Sequence, residues 1–301
     1  MVLGVIVEFL FRKGHPFCLP VIFRLYRNKK TVEKEGGPYK TRPVLAVEML
    51  ESLCKRFENR HFHLVADSAY CGKSVVKLLP ENCGMTGRIV MDARLFAPAP
   101  QRRGMGRPRK KGRRLACPKK MLGGKRRKII IDIYGRREVA QVAEKTCLWY
   151  GTAGSRLLNV VAVRPLTGGR TEQAFFSTDI NASAEEVIAC YARRWSIEVA
   201  FQESKGHLGF EQPQNWSELA VKRTAPVSML LHSLVWLWFC KLGNHELEFP
   251  ERPWYRQKKE ICFADVLREL RRKMLAEHFL SNPATDVDMA KSIRHLINLA
   301  A

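Results

Sequence analysis

The spacing of apolar residues divides the chain into an α/β part followed by a mostly helical part. VLGVIVEFLF (2–11) and FCLPVIFRLYR (17–27) are rich in Val, Ile and Phe, which predicts two strands joined by a turn. A charged loop, NKKTVEKEGGPYK (28–40), is expected next. Apolar positions then recur at a spacing near 3.6 and predict a helix over 41–57, with Thr41 as its N-cap.

The following segments alternate between strand and helix patterns. HFHLVADSAY predicts a strand that ends at Asp67, GKSVVKLLP (72–80) a short helix, and GRIVMDARLF (87–96) a further strand. Four more strand-like pieces are IIIDIYG, CLWYG, LLNVVAVRP and QAFFSTD. From Ser183 onward the pattern is mainly helical, and one continuous helix is expected over 181–205. This order of elements indicates an α/β layer architecture.

Charge is the first feature that narrows the function. The 301 residues carry a formal net charge of +23. From Arg102 to Lys128 there are fourteen Lys or Arg and no Asp or Glu. Such an excess predicts a polyanionic partner, most simply nucleic acid, with an anionic membrane surface as the alternative. The expected division is 1–97 for the first part of the core, 98–180 for a basic β-rich insertion and returning strands, 181–245 for a signature helix and a core helix, and 246–301 for a helical tail.

Cysteine usage and hydropathy bear on the cellular compartment. The nine cysteines are scattered, without a CxxC pair, which predicts free thiols in a reducing compartment. The apolar run at 225–240 is short and contains His232, so it is interpreted as a buried core helix and not as a membrane span. We therefore expect a cytoplasmic protein without membrane association.

The segment YARRWSIEVAFQESK carries four polar residues at helical spacing. At about 100° per residue, Tyr191, Arg194, Glu198 and Lys205 fall within roughly 60° of one another on a single helix. A solvated polar stripe with an Arg194–Glu198 ion pair is the plain alternative for such a pattern. The order Tyr-x2-Arg-x3-Glu-x6-Lys, however, resembles the YREK signature of bacterial insertion-sequence DDE transposases.

Neighbouring segments resemble the same family and extend the resemblance over nearly the whole chain. They are LVADSAY, HLGFEQPQNW, AVKRTAP and RPWYRQKKEICFADVLRELRR. The resemblance implies an α/β, RNase H-like mixed sheet flanked by helices, with a β-rich basic insertion and a helical C-terminal part. It also implies cleavage and joining of DNA strands at insertion-sequence ends by two-metal phosphodiester chemistry.

The resemblance assigns roles to individual residues. Asp67 would be the second catalytic Asp and Glu198 the catalytic Glu, and both would bind Mg²⁺ or Mn²⁺ through carboxylate oxygens. Tyr191, Arg194 and Lys205 would contact DNA phosphates near the cleaved end. The partner would be double-stranded DNA at the terminal repeats, bound by a homodimer.

One carboxylate of the family pattern has no counterpart in the sequence. No Asp occurs before Asp67, and among the earlier glutamates only Glu8 lies on a predicted strand. The expectation is therefore an N-terminally truncated transposase that is weak or inactive. The alternative is a non-catalytic DNA-binding remnant that occupies transposon ends or inhibits intact transposase. A basic RNA-associated protein is a third interpretation, supported by charge alone.

The basic insertion contains a second candidate DNA contact. GRPRKKG (106–112) resembles an AT-hook, in which Arg107 and Arg109 would enter a narrow minor groove. A generic basic loop that holds phosphates without sequence preference fits the same residues. The sequence leaves both interpretations open.

Overall fold

The computed structural model describes residues 1–8, 16–101, 107–133, 136–212, 217–243 and 261–280, together with 291, 296 and 297. Within these ranges the chain divides into two compact units, which are described separately. The first unit comprises Met1–Leu3 and Ile22–Trp195. The second comprises Gly4–Val21 and Ser196–Ala301.

Two strands and two helices open the chain. Strands β1 (Val2–Val7) and β2 (Phe17–Phe23) form a two-stranded sheet of their own. Helix α1 (Lys29–Glu35) and helix α2 (Arg42–Arg56) follow. The two predicted strands and α2 are confirmed, and the predicted turn between the strands lies outside the described residues.

The charged loop predicted at 28–40 is wrong, because α1 occupies its first half. The Asn28 side chain caps this helix by accepting a hydrogen bond from Thr31 N at 2.8 Å. Val32 is buried on its inner side, and Gly36 ends the helix at φ 76°. One cap, one apolar anchor and one terminal glycine are therefore enough to form a short helix in a highly charged segment.

A six-stranded mixed sheet is the centre of the first unit. Its strands are β3 (Phe62–Ala66), β4 (Cys83–Arg88), β5 (Arg127–Ile133), β6 (Arg136–Leu148), β7 (Leu157–Pro165) and β8 (Gln173–Ser177). Their order across the sheet is β3-β4-β8-β7-β6-β5. The β3–β4 pair is parallel and the other pairs are antiparallel. Residues 98–180 thus contribute four strands to the same sheet as β3 and β4.

Helices cover both faces of this sheet. They are α2, α3 (Lys73–Val76), α4 (Pro118–Met121), α5 (Tyr150–Ala153) and α6 (Ala184–Ala192). On β7, Val160 packs with α2, α3, α4 and α5, whereas the next residue, Val161, packs with α6 on the opposite side. Because side chains along a strand alternate between the two faces, the apolar residues of β7 lie on both faces, as expected for a sheet between two helical layers. The predicted α/β fold class, a mixed sheet flanked by helices, is confirmed.

Two strand predictions need correction. The strand expected at 87–96 is instead β4, which ends at Arg88, and its sequence CGMTGR has low strand propensity. Its glycines are required by packing, since a Cβ at Gly84 would lie 2.8 Å from His63 Nδ1. Most of β6 was not predicted either, because its many charged residues obscure an alternation in which Ala140 and Val142 are buried.

The second unit contains three longer helices. They are α7 (Ser196–His207), α8 (Glu218–Trp238) and α9 (Phe263–Leu280), with a π-helical turn at Phe239–Gly243 after α8. Trp236 is fully buried between Phe17 and Phe263, with ring centroids 4.0 and 6.0 Å away. The buried core helix predicted at 225–240 is therefore correct for one face of α8. The other face of α8 exposes several leucines.

Candidate DNA-processing site

Asp67 and Arg88 lie at the carboxyl ends of two adjacent parallel strands. The register of β3 and β4 pairs Ala66 with Gly87, so Asp67 and Arg88 follow the last pair on neighbouring strands. Adjacent strands are about 4.8 Å apart. Both side chains are exposed. This edge therefore presents a carboxylate beside a guanidinium, and the carboxyl edge of a sheet is where α/β folds commonly bind ligands.

The turn after β3 holds Asp67 in place. Its Oδ1 accepts a hydrogen bond from Ser68 N at 2.7 Å and so caps a 3₁₀ turn over Ser68–Tyr70. The thiol of buried Cys71 donates to the Asp67 carbonyl oxygen at 3.3 Å. Gly87 leaves room for that thiol, since a Cβ there would lie only 2.4 Å from Cys71 Sγ. The backbone at Asp67 is thus fixed by the packing of Cys71 against Gly87.

Tyr191 comes close to the same edge from α6. Its side chain is only 9% exposed, and its ring packs against Phe175 with 4.7 Å between centroids. Burial raises the pKa of the phenol, the Arg194 and Arg88 guanidinium groups lower it, and the Asp67 carboxylate raises it further. These influences indicate that Asp67, Arg88, Tyr191 and Arg194 share one neighbourhood of the first unit.

The single helix predicted over 181–205 is wrong. Helix α6 ends at Ala192, a 3₁₀ turn covers Arg193–Trp195, and α7 begins at Ser196. Since a 3₁₀ turn has about 3.0 residues per turn, the angular argument that placed four polar residues on one face does not hold across it. Tyr191 belongs to the buried face of α6, whereas Trp195 is 47% exposed.

The first half of this segment is well determined by local interactions. Ser183 and Glu186 form a capping box at the start of α6, with Ser183 N donating to Glu186 Oε2 at 2.8 Å. At its other end, the guanidinium carbon of Arg194 lies 5.9 Å from the centre of the Tyr191 ring. Tyr191 and Arg194 therefore remain neighbours despite the change in helix type, as expected for residues three apart.

Glu198 and Lys205 lie on α7, in the second unit. Glu198 is half-buried in the first turn of this helix, where the helix dipole favours a negative charge. Lys205 is near the other end and forms an ion pair with Glu211. Between them, Glu203 Oε2 lies 2.7 Å from Nε2 of buried His232 on α8, which ties α7 to α8.

The basic segment reaches the first unit through a tight backbone connection. Ala97 N donates to Arg113 O and Gly112 N donates to Ala97 O, both at 2.9 Å. Lys111 lies 4.0 Å from the centre of the Phe96 ring. Arg107 and Arg109 are exposed in the described part of the loop, whereas residues 102–106 lie outside the described residues. The loop therefore presents cations from a fixed base.

Comparison with known families decides the identity of this fold. A family model described as "Transposase DDE domain" matches residues 41–216, which is more than half of the chain. This chain belongs to the DDE-domain transposase family. No curated protein matches the sequence. The mixed sheet with flanking helices is consistent with the RNase H-like fold of this family.

The family match covers the edge at Asp67. DDE transposases generally use divalent metal ions and act on DNA. The match includes both proposed carboxylates, Asp67 and Glu198, and the three other residues of the YREK pattern. It also includes Arg107 and Arg109.

A complete metal site is not formed by the described residues. Among them, no three His, Cys, Asp or Glu side chains are grouped as metal ligands would be. The exposed carboxylate of Asp67 has a suitable donor type, but one carboxylate provides too few oxygen ligands for a hard divalent cation. Asp67 by itself does not form the two-metal centre of the family.

Arg88 is the residue at this edge that the sequence did not reveal. It follows a strand that was predicted at the wrong place, so its proximity to Asp67 could not be inferred from its spacing. The structure shows it directly after the buried residues 85–87, at the end of β4, and its sequence gives no signal of this position. No helix in the described ranges is both long and apolar enough to cross a membrane.

Proposed function

We propose that this DDE-domain transposase belongs to the YREK group and acts on double-stranded DNA at the terminal repeats of an insertion sequence. Asp67 and Glu198 are the proposed catalytic and metal-binding carboxylates, with Mg²⁺ or Mn²⁺ as the ion. The match of residues 41–216 to the transposase DDE domain carries this proposal, because it spans both carboxylates. The exposure of Asp67 at the carboxyl edge of the sheet supports it.

The proposed DNA contacts come from two regions. Arg194 and Arg88 share the neighbourhood of Asp67, where cations would neutralise phosphate charge. Tyr191 would act mainly by packing, since its ring belongs to the core, and Lys205 would exchange its Glu211 ion pair for a phosphate. Arg107 and Arg109 would hold DNA outside the cleavage site, as an AT-hook or as a general phosphate contact.

We further propose that the chain by itself binds DNA well and cleaves it weakly. No Asp precedes Asp67 in the sequence, and three carboxylates are the usual requirement of the family chemistry. A basic chain of net charge +23 keeps its phosphate affinity without the full carboxylate set. The same observations favour a second candidate function, in which the protein binds transposon ends without cutting them.

Cleavage of a supercoiled plasmid separates the two functions. Slow nicking in Mn²⁺ that is abolished by Asp67→Asn and by Glu198→Gln, with unchanged DNA binding, supports the weak transposase. Asp92→Asn is the matched control, because Asp92 is exposed in a turn after β4. It should leave nicking unchanged.

The outcomes are distinct. Absence of nicking in Mn²⁺ together with strong DNA binding identifies the binding protein. Rapid cleavage would contradict the expectation of weak activity. Nicking that survives both carboxylate substitutions would contradict the assignment of Asp67 and Glu198.

A further inference from the structure

The fully buried positions of α7 hold small side chains. Ser196, Ala200 and Ser204 are 7%, 1% and 0% exposed and recur every four residues, so they lie on one face of the helix. Small side chains make few contacts with a neighbouring element, and these contacts resist rotation of the helix about its own axis only weakly. The rotation of α7, and with it the direction of Glu198, therefore depends on the directional polar contacts of this helix.

A short polar contact joins α7 to α8. Glu203 Oε2 lies 2.7 Å from Nε2 of His232, whose side chain is 1% exposed. The other ring nitrogen of His232, Nδ1, is buried and has no hydrogen-bond partner among the described residues. A proton on Nδ1 would be an unpaired buried donor, so the ring proton belongs on Nε2, which donates to Glu203 Oε2. The contact therefore has a defined direction.

His232 is itself held in place by aromatic packing. Its ring stacks on Phe263 of α9 with 4.7 Å between centroids and 29° between ring planes. Phe263 is 1% exposed and lies 6.0 Å from the ring of fully buried Trp236. One turn earlier on α8, buried Ser228 donates to the carbonyl oxygen of Leu208, directly after α7, at 2.9 Å. Helix α8 thus holds α7 at two points, and the His232 ring is a rigid one.

Glu203 and Glu198 point away from α7 in nearly opposite directions. They are five residues apart, and at about 100° per residue this separates them by about 140° around the helix axis. A side-chain group about 5–6 Å from the axis moves by about 1 Å when the helix rotates by about 10°. A misplacement of about 1 Å can lower a catalytic rate about 100-fold. A contact at Glu203 can therefore control what Glu198 does on the other side of the helix.

We propose that His232 is a positioning residue, which fixes the rotation of α7 through Glu203 and thereby the direction of Glu198. This inference rests on the proposed catalytic role of Glu198. His232 lies beyond residues 41–216, so the family match does not assign it a role.

Two amide substitutions of His232 separate the hydrogen bond from the presence of a polar side chain. The amide nitrogen of His232→Gln reaches the position of Nε2 and can still donate to Glu203, whereas that of His232→Asn ends at the position of Nδ1 and cannot. Nicking of supercoiled plasmid in Mn²⁺ is measured at saturating DNA. His232→Asn should slow nicking at least about 10-fold with unchanged DNA affinity, and His232→Gln should restore most of the wild-type rate.

Backbone amide exchange of α7 gives a measurement that does not depend on activity. Mass spectrometry of peptides covering 196–207 should show exchange about 10-fold faster in His232→Asn and near the wild-type rate in His232→Gln. Ser233→Ala is the matched control, because buried Ser233 donates to the carbonyl oxygens of Pro20 and Met229 and not to α7. It should change neither the exchange of α7 nor the nicking rate.

Glu203→Ala removes the same contact from the α7 side and protects the test against a His232 variant that does not fold. The Glu203 side chain is 18% exposed, so its removal disturbs the core less than a change at His232. Glu203→Ala should match His232→Asn in nicking and in exchange. The double variant should lose less than the sum of the two single losses, because both substitutions remove one contact.

The possible outcomes separate the role of His232 from the proposed function. Equal loss of nicking in His232→Asn and His232→Gln overturns the positioning role, as does unchanged exchange of α7 in both His232→Asn and Glu203→Ala. Faster exchange with an unchanged nicking rate overturns the link to Glu198. A wild type that does not nick DNA contradicts the proposed role of Glu198 and the catalytic half of the inference, whereas the exchange rates still decide whether His232 holds α7.

Discussion

Replacing Gly87 with Ala places a methyl group where the first unit has no room. The new Cβ would lie 2.4 Å from Cys71 Sγ and 3.1 Å from the Phe176 ring, against about 3.5–4.0 Å for a normal contact. Cys71 is 3% exposed and cannot move outward without disturbing the core. Overpacking of this kind costs about 1–3 kcal/mol. A loss near 2 kcal/mol would lower the melting temperature by about 4–8 °C.

The same contact predicts a specific rescue. Cys71→Ala removes the sulfur that the new methyl group meets, at a cost of about 1 kcal/mol for the lost burial. In that background Gly87→Ala should cost less than half as much, which gives a coupling energy of about 1–2 kcal/mol. Urea unfolding followed by far-ultraviolet circular dichroism measures all four proteins of the cycle.

Gly151→Ala is the control for glycine replacement itself. No atom lies within 4 Å of a Cβ at Gly151, so its stability should change by less than about 0.5 kcal/mol. A Gly87→Ala protein as stable as the wild type would refute the packing described for the Asp67 turn. So would a cost that Cys71→Ala fails to relieve.

Three further predictions follow from the first unit. Arg88→Ala should weaken DNA binding and reduce the salt dependence of the binding constant by about one phosphate contact. Arg60→Ala, before the amino end of β3, should leave both unchanged. DNA titrations at several salt concentrations check this. Burial raises the pKa of the Cys147 thiol to about 12. The free energy of unfolding that the protonated thiol contributes is therefore complete below about pH 9 and is lost as the pH rises towards 12. The urea midpoints at about pH 8 and 10.5 should differ less in Cys147→Ala than in the wild type. Ser183→Ala should lower the free energy of unfolding by about 1 kcal/mol, because it removes the cap of α6. Ser155→Ala, at an exposed position between α5 and β7, should lower it by less than about 0.5 kcal/mol. Thermal unfolding of the two variants compares these losses.

Local chemistry determined most of what the sequence could predict. The apolar strands β7 and β8 and the amphipathic α2 were predicted at or near their observed bounds, because propensity and burial pattern agree there. Strand β4 could not be predicted in this way. Its glycines are unfavourable in isolation and are required only because His63 and Cys71 approach them from distant positions.

The candidate site shows the same division. The position of Asp67 at the end of β3 could be predicted because it directly follows a recognisable strand, and the proposed YREK pattern rests on spacing alone. The division of that pattern at Arg193–Trp195 was not predicted, since nothing in the local residues forbids a continuous helix. Arg88 was missed because its place beside Asp67 depends on strand pairing, a property of the whole sheet.

The closed base of the basic loop has a consequence for how such a protein can diversify. Residues 98 and 111 are brought together by the hydrogen bonds at Ala97, so the segment between them can be lengthened, shortened or exchanged without moving the sheet. Doubling the length of a loop costs only about 0.6 kcal/mol. The loop is thus a replaceable module on a constant scaffold. Under the proposed role of Arg107 and Arg109, a different DNA-binding segment grafted between these two residues would alter where the protein binds while leaving the turn at Asp67 unchanged.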